Sequence, residues 1–192
     1  GTHNPWAPPF DYLDRVFLPI LNRMGPRVDA TLERPGFYPA GGGKLAVTIE
    51  PVQELVPVSI VDRGETVARQ ATAMIADIPD SIAVRELKVV ARRLGWPEES
   101  LKIERIGNSA GPGNALMLFI ESEHSRAMFV GFGQRGVKAE TVAAQAAGQA
   151  RRYIGSGAAV DEHLADQLLL PMALAGGGEF STAGLSKHTT AN

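Results

Sequence analysis

The run from Ser81 to Leu94 constrains this chain most. Its apolar residues Ile82, Val84, Leu87, Val90, Ala91 and Leu94 recur at helical spacing and line one face. Asp80 or Ser81 can cap the start, and Gly95 can end it. Strand-like runs flank it, Val67 to Ala76 before and Leu101 to Ile106 after. A helix between two strands buries its apolar face by packing on the sheet they help to build.

The rest of the chain follows the same grammar. Phe10 to Met24 carries a helical stripe through Tyr12, Leu13, Val16, Phe17, Ile20 and Leu21, with Pro19 predicting a kink or a short helix followed by a turn. Arg27 to Glu33 and Lys44 to Pro51 alternate as paired strands joined by a glycine-rich connection. Val56 to Asp62 and Val67 to Ala76 read as strands around the turn Arg63-Gly64-Glu65. Leu116 to Glu121 and Ala127 to Phe132 read as further strands, and Lys138 to Ile154 as a helix. Val160 to Leu174 reads as a helix that Pro171 bends or ends, and Glu179 to Thr182 as a short strand. The fold class is therefore α/β or α+β, helices covering mixed sheets.

Composition excludes several functions. The formal net charge of −2 argues against a broadly basic nucleic-acid surface, though a local pocket for one RNA end needs only a few placed cations. With no cysteine, disulfides, thiolate metal sites and cysteine nucleophiles are excluded. No apolar run approaches the roughly 20 residues of a membrane span, so no membrane partner is expected and the expected setting is cytoplasmic. The absent initiator Met and the abrupt polar end at Asn192 make both termini look cut.

Histidines are the natural candidates for nucleophilic or acid–base work: His3, His124, His163 and His188. His188 lies among Ser186, Lys187, Thr189 and Thr190, a loop whose hydroxyls and ammonium could hold phosphate oxygens while the imidazole attacks phosphorus. Taken locally, the loop favours the plainer reading, an exposed loop histidine. His163, Asp166 and Gln167 share one helix face by spacing, either as a polar edge or as groups pointing into a cleft. A metal centre of His163, Asp166 and His188 has no recognisable ligand spacing, and no metal-ligating residues are assigned.

Four separated segments resemble one family in order. They are Gly1-Thr2-His3-Asn4-Pro5-Trp6-Ala7-Pro8-Pro9-Phe10-Asp11-Tyr12, Gly36-Phe37-Tyr38-Pro39-Ala40-Gly41-Gly42-Gly43, the run from Val160 to Ala175, and Ser186-Lys187-His188-Thr189-Thr190-Ala191-Asn192. Together they resemble the RNA 3'-terminal phosphate cyclases over nearly the whole chain. The resemblance implies ATP-dependent conversion of an RNA 3'-phosphate to a 2',3'-cyclic phosphate, with a divalent metal, Mg or Mn. It implies that His188 attacks the α-phosphorus and forms a covalent histidine–AMP intermediate. AMP then passes to the RNA 3'-phosphate, and the 2'-hydroxyl displaces it.

By the same resemblance, Asp166, Gln167 and Pro8 lie near the adenylate, and the stretch holding Phe129 and Phe132 supplies an aromatic face to adenine. His163 stands where a tyrosine is common. The family's fold implies a large domain of repeated strand–helix units, incomplete here, interrupted by a smaller inserted α/β domain. The expected division is 1–56 and 136–192 in the large domain and 57–135 in the insert. Expected partners are RNA 3'-phosphate ends, ATP and a missing N-terminal portion that carries an acidic metal ligand and active-site arginines. The alternatives are a non-catalytic cyclase-like protein in ribosomal RNA processing, or an inactive fragment. A related non-catalytic branch lacks the nucleophilic histidine, so His188 favours the enzyme.

Overall fold

The structure, a computed structural model, describes residues 1–186 and Thr189. Three helical pieces run on without a break: α1 Phe10–Tyr12, a π-helical turn Leu13–Phe17, and α2 Leu18–Arg23. Pro19 has no N–H to donate to the preceding turn. The wider turn absorbs this, with the Leu18 N–H bonding the Leu13 carbonyl, and the helical path continues past Pro19 to Arg23. No separate turn forms there, contrary to one of the two outcomes expected of Pro19.

Strands β1 Arg27–Arg34 and β2 Lys44–Glu50 pair antiparallel as expected, with Val28 opposite Ile49, Ala30 opposite Val47 and Leu32 opposite Leu45. Directly opposed residues share a face, so these six make one apolar side of a two-stranded ribbon. Next, β3 Ser59–Ile60 is short and β4 Thr66–Ala76 is long. The two do not flank a hairpin turn, as their order in sequence had suggested. Instead β3 pairs in parallel with the distant β8, Glu179–Phe180.

The central unit is a four-stranded sheet ordered β5-β4-β6-β7, with β5 Leu101–Arg105, β6 Gly113–Ser122 and β7 Arg126–Phe132. Helix α3, Asp80–Leu94, connects β4 to its parallel neighbour β5, and a single turn of 3₁₀ helix, Glu98–Ser100, precedes β5. Beyond β7 come α4, Ala139–Ser156, and α5, Glu162–Leu174. Pro171 lies inside α5 without ending it, its carbonyl accepting from the Ala175 N–H at 2.9 Å.

Period-two alternation divides the sheet between two cores. Ala73 and Ile75 of β4, Leu116, Leu118 and Ile120 of β6, and Phe129 of β7 face α3 and α4. Met74, Ala115, Met117, Phe119 and Met128 face the other way, onto Tyr12, Val16 and Ile20 and onto Leu164, Leu168 and Met172 of α5. The sheet is thus the middle of three layers. No helix among the described residues is long and apolar enough to cross a membrane.

Candidate functional site

The sequence Asp161-Glu162-His163-Leu164 starts α5 and orients its polar face. Asp161 is the N-cap, its Oδ1 accepting from the backbone N–H of His163 at 2.9 Å and of Leu164 at 3.2 Å. The buried Tyr12 hydroxyl donates to the same carboxylate, at 3.2 and 3.1 Å from its two oxygens. Burial pushes the Asp161 carboxyl up, against the two N–H bonds that favour its charged form. Burial, joined by the Asp161 charge, pushes the Tyr12 hydroxyl well above its ordinary range. One buried contact therefore fastens the start of α5 to the helix that opens after Pro9.

The face so oriented holds His163, Asp166 and Gln167, at the three- and four-residue spacing read from the sequence. His163 is exposed; Asp166 and Gln167 are half-buried. The Oε1 atom of Gln167 is fully enclosed and has no hydrogen-bond partner. A buried acceptor left unmatched is costly unless some donor reaches it.

The two phenylalanines separate. Phe132 is half-buried at the end of β7, packed on the side of the sheet that α5 covers. Phe129 is enclosed on the opposite side among α3 and α4, its ring 5.4 Å from that of Tyr153. Pro8 is exposed, and Pro9 is the N-cap of α1. His188, the expected nucleophile, lies outside the described residues, as does Lys187.

His124 lines an open cleft with Arg23, Ser59, Val61, Asp62 and Glu123, a lining of mixed charge. His3 is buried: its Nε2–H donates to Asp11 Oδ2 at 2.9 Å, and its Nδ1 is 2.9 Å from the Thr2 hydroxyl. This network ties the first motif to the second, because the Gly36 N–H bonds Thr2 Oγ1 at 3.0 Å and the His3 N–H bonds the Gly36 carbonyl. Among the described residues, no group of three or more His, Asp or Glu could hold a metal ion. The described residues alone thus do not fit a metal centre.

Sequence reasoning missed Asp161, Tyr12 and Glu86. An Asp immediately before a helical apolar run is an N-cap signal that was there to be read. Glu86 sits inside the α3 stripe, fully buried, with Oε2 accepting from Asn114 Nδ2 at 3.0 Å and Oε1 unpartnered. Burial raises its carboxyl to about 7, against the Asn114 hydrogen bond, which lowers it. Asn114 in turn accepts the Gly133 N–H on its carbonyl at 3.1 Å, just beyond Phe132.

Comparison with known proteins covers the whole chain. The family model described as RNA 3'-terminal phosphate cyclase matches residues 1–192. A protein of Ectopseudomonas mendocina (strain ymp), named RNA 3'-terminal phosphate cyclase, is 52% identical over all of this chain and 56% of its own length. Proteins of the same name from Koribacter versatilis (strain Ellin345) and Salmonella paratyphi C (strain RKS4594) are 50% and 45% identical over all of this chain, with 54% and 55% of their own lengths covered. The chain spans about half the length of the curated relatives it matches. Matched from its first residue to its last, the chain belongs to the RNA 3'-terminal phosphate cyclase family.

Proposed function

We propose that this chain is the part of an ATP-dependent RNA 3'-phosphate cyclase that carries the nucleophile and one wall of the nucleotide site. The observation that carries the reading is the match of the whole chain to this family, with Asp166 and Gln167 on an α5 face that the Asp161–Tyr12 contact fixes. The Gln167 amide suits the adenine edge, since it can accept from the exocyclic amine or donate to a ring nitrogen. Asp166 and Pro8 join it, and Phe132 is the ring on the side of the sheet that can face the base.

In this reading the His188 imidazole attacks the α-phosphorus of ATP, forming a P–N bond and expelling pyrophosphate. The RNA 3'-phosphate oxygen takes the AMP, and the 2'-hydroxyl closes the ring as AMP leaves. Splitting the reaction so gives each step a good leaving group. The acidic metal ligand for Mg or Mn and the further cations belong to the portion the relatives have in addition, which the resemblance places before residue 1. The setting proposed for the whole protein is cytoplasmic.

That portion has a place to sit. The apolar side of the β1–β2 ribbon is open, with Leu45, Val47 and Ile49 exposed by 42%, 44% and 62%. We assign it to the N-terminal portion, since nearly half of each relative's length lies outside the match.

The test is AMP transfer to protein. The chain joined to an N-terminal portion, incubated with labelled ATP and Mg or Mn, is expected to acquire acid-labile, base-stable AMP. His188→Ala is expected to abolish the label; label that persists in that variant would overturn the assignment.

A further inference from the structure

We propose that Trp6 and Tyr38 form a stacking platform for a nucleobase close to the RNA 3' end. The proposal rests on the cyclase reading for the identity of its ligand. The two rings meet edge to face with centroids 4.7 Å apart, and they remain 71% and 63% exposed. Two large aromatic residues left in water side by side leave broad π-surface unsatisfied, and a base stacked on them would cover it.

The backbone beneath the two rings is hydrogen-bonded on both sides. Asn4 Oδ1 accepts from the Trp6 N–H at 3.0 Å, and Asn4 Nδ2 donates to the Gly1 carbonyl at 3.0 Å, fixing the turn that carries the indole. Buried His3 closes that loop on Asp11, while the Phe10 N–H bonds the Thr2 carbonyl. On the other side Phe37, next to Tyr38, is buried in the core, and its own carbonyl accepts from the Gly41 N–H at 2.6 Å. The Phe37 ring lies so close to Gly113 that a Cβ there would stand 1.9 Å from it. Both rings thus project from anchored backbone, which lowers the entropy lost when a base docks.

Asn4 holds the Trp6 N–H, and the segment that carries Tyr38 runs on through Pro39, Ala40, Gly41 and Gly42 to β2. Arg34, exposed, donates through Nε to the Gly42 carbonyl at 2.6 Å and so places a cation on the loop that carries Tyr38. An exposed ring face on a segment that also carries a cation suits a base and its phosphate. Trp6 stands two residues before Pro8, in the segment that the resemblance sets near the adenylate, so the base assigned to it is one close to the RNA 3' end.

The second tryptophan, Trp96, is 3% exposed, which makes Trp6 a selective reporter of both solvent and ligand. The probe is a short single-stranded RNA ending in a 3'-phosphate, titrated onto the chain joined to its N-terminal portion. Trp6 fluorescence is expected to be open to acrylamide before RNA and shielded after it. Trp6→Ala is expected to weaken RNA binding about tenfold or more, and Trp6→Phe to restore most of it. An RNA with abasic terminal nucleotides but intact phosphates is expected to bind no better than intact RNA binds Trp6→Ala.

Equal binding by Trp6→Ala and the unsubstituted protein would overturn the platform. So would acrylamide shielding of Trp6 already complete without RNA, which would make the rings a contact for the N-terminal portion. AMP labelling of the unsubstituted protein needs no RNA, so it reports on the cyclase reading separately.

Discussion

The buried carboxyl of Glu86 couples this fold to pH. Glu86 is enclosed in the apolar layer beneath α3, and burial lifts its carboxyl from 4.5 to about 7. The folded chain therefore holds this proton more tightly than the unfolded chain. The sign follows: the stabilisation is fully present below the unfolded value and is lost as pH rises through about 7. By that shift the loss is on the order of 3 kcal/mol. Chemical denaturation at pH 5 and pH 8 is expected to show the lower midpoint at pH 8, and Glu86→Gln is expected to flatten the difference. A difference unchanged in Glu86→Gln would assign the effect to other groups, among them Asp161, whose carboxyl burial also raises. Glu86 was missed because the stripe was read through apolar residues alone; the buried face runs through Ala83, Glu86, Leu87 and Val90, and Val84, placed on the stripe by its apolar side chain, is exposed. Trp6 was legible only as a residue of the first motif, since exposure depends on what the chain packs nearby.

At the level of elements, local pattern worked where an element finds its partner nearby. The α3 stripe, the β1–β2 ribbon and the β6–β7 pair were all readable from periodicity, because their apolar residues meet neighbours close in sequence. It failed at β3, whose strand partner among the described residues is β8, about 120 residues further on in the chain. The expected boundary near Gly133 to Gly136 falls on a real loop, yet α4 beyond it covers the same sheet face as α3. We therefore propose that the inserted unit runs from Thr66 to Ser156, with α4 inside it. The open side of the ribbon gives a further expectation. Val47→Lys or Ile49→Lys is expected to leave this chain folded, since both residues are exposed, but to prevent a separately made N-terminal portion from binding to it. Co-purification of the two pieces checks this, and undiminished capture would place the contact elsewhere.

Over the whole molecule, the chain leaves and returns at one place. The Ile60 carbonyl accepts the Ser181 N–H at 3.2 Å, and the Ser181 carbonyl accepts the Val160 N–H at 3.0 Å. The Ser181 hydroxyl adds a bond to Val61 at 2.7 Å and accepts from the Ala159 N–H at 2.9 Å. The strand going in and the strand coming out are therefore joined through the segment at Ser181. Native-state hydrogen exchange is expected to find the amides of Glu179 and Ser181 opening before those of β4 and β6, whose ladder is far longer. Equal protection in both would argue against this ranking.

The two-residue pairing of β3 with β8 also sets a clock. During synthesis Ser59 and Ile60 emerge early and wait, unpaired, while the whole four-stranded unit is made and folds beside them. Only when Glu179 and Phe180 follow can the gap close, and the segment bearing His188 comes directly after. A ribosome that stops before that point leaves the main sheet built and the proposed nucleophile not yet made.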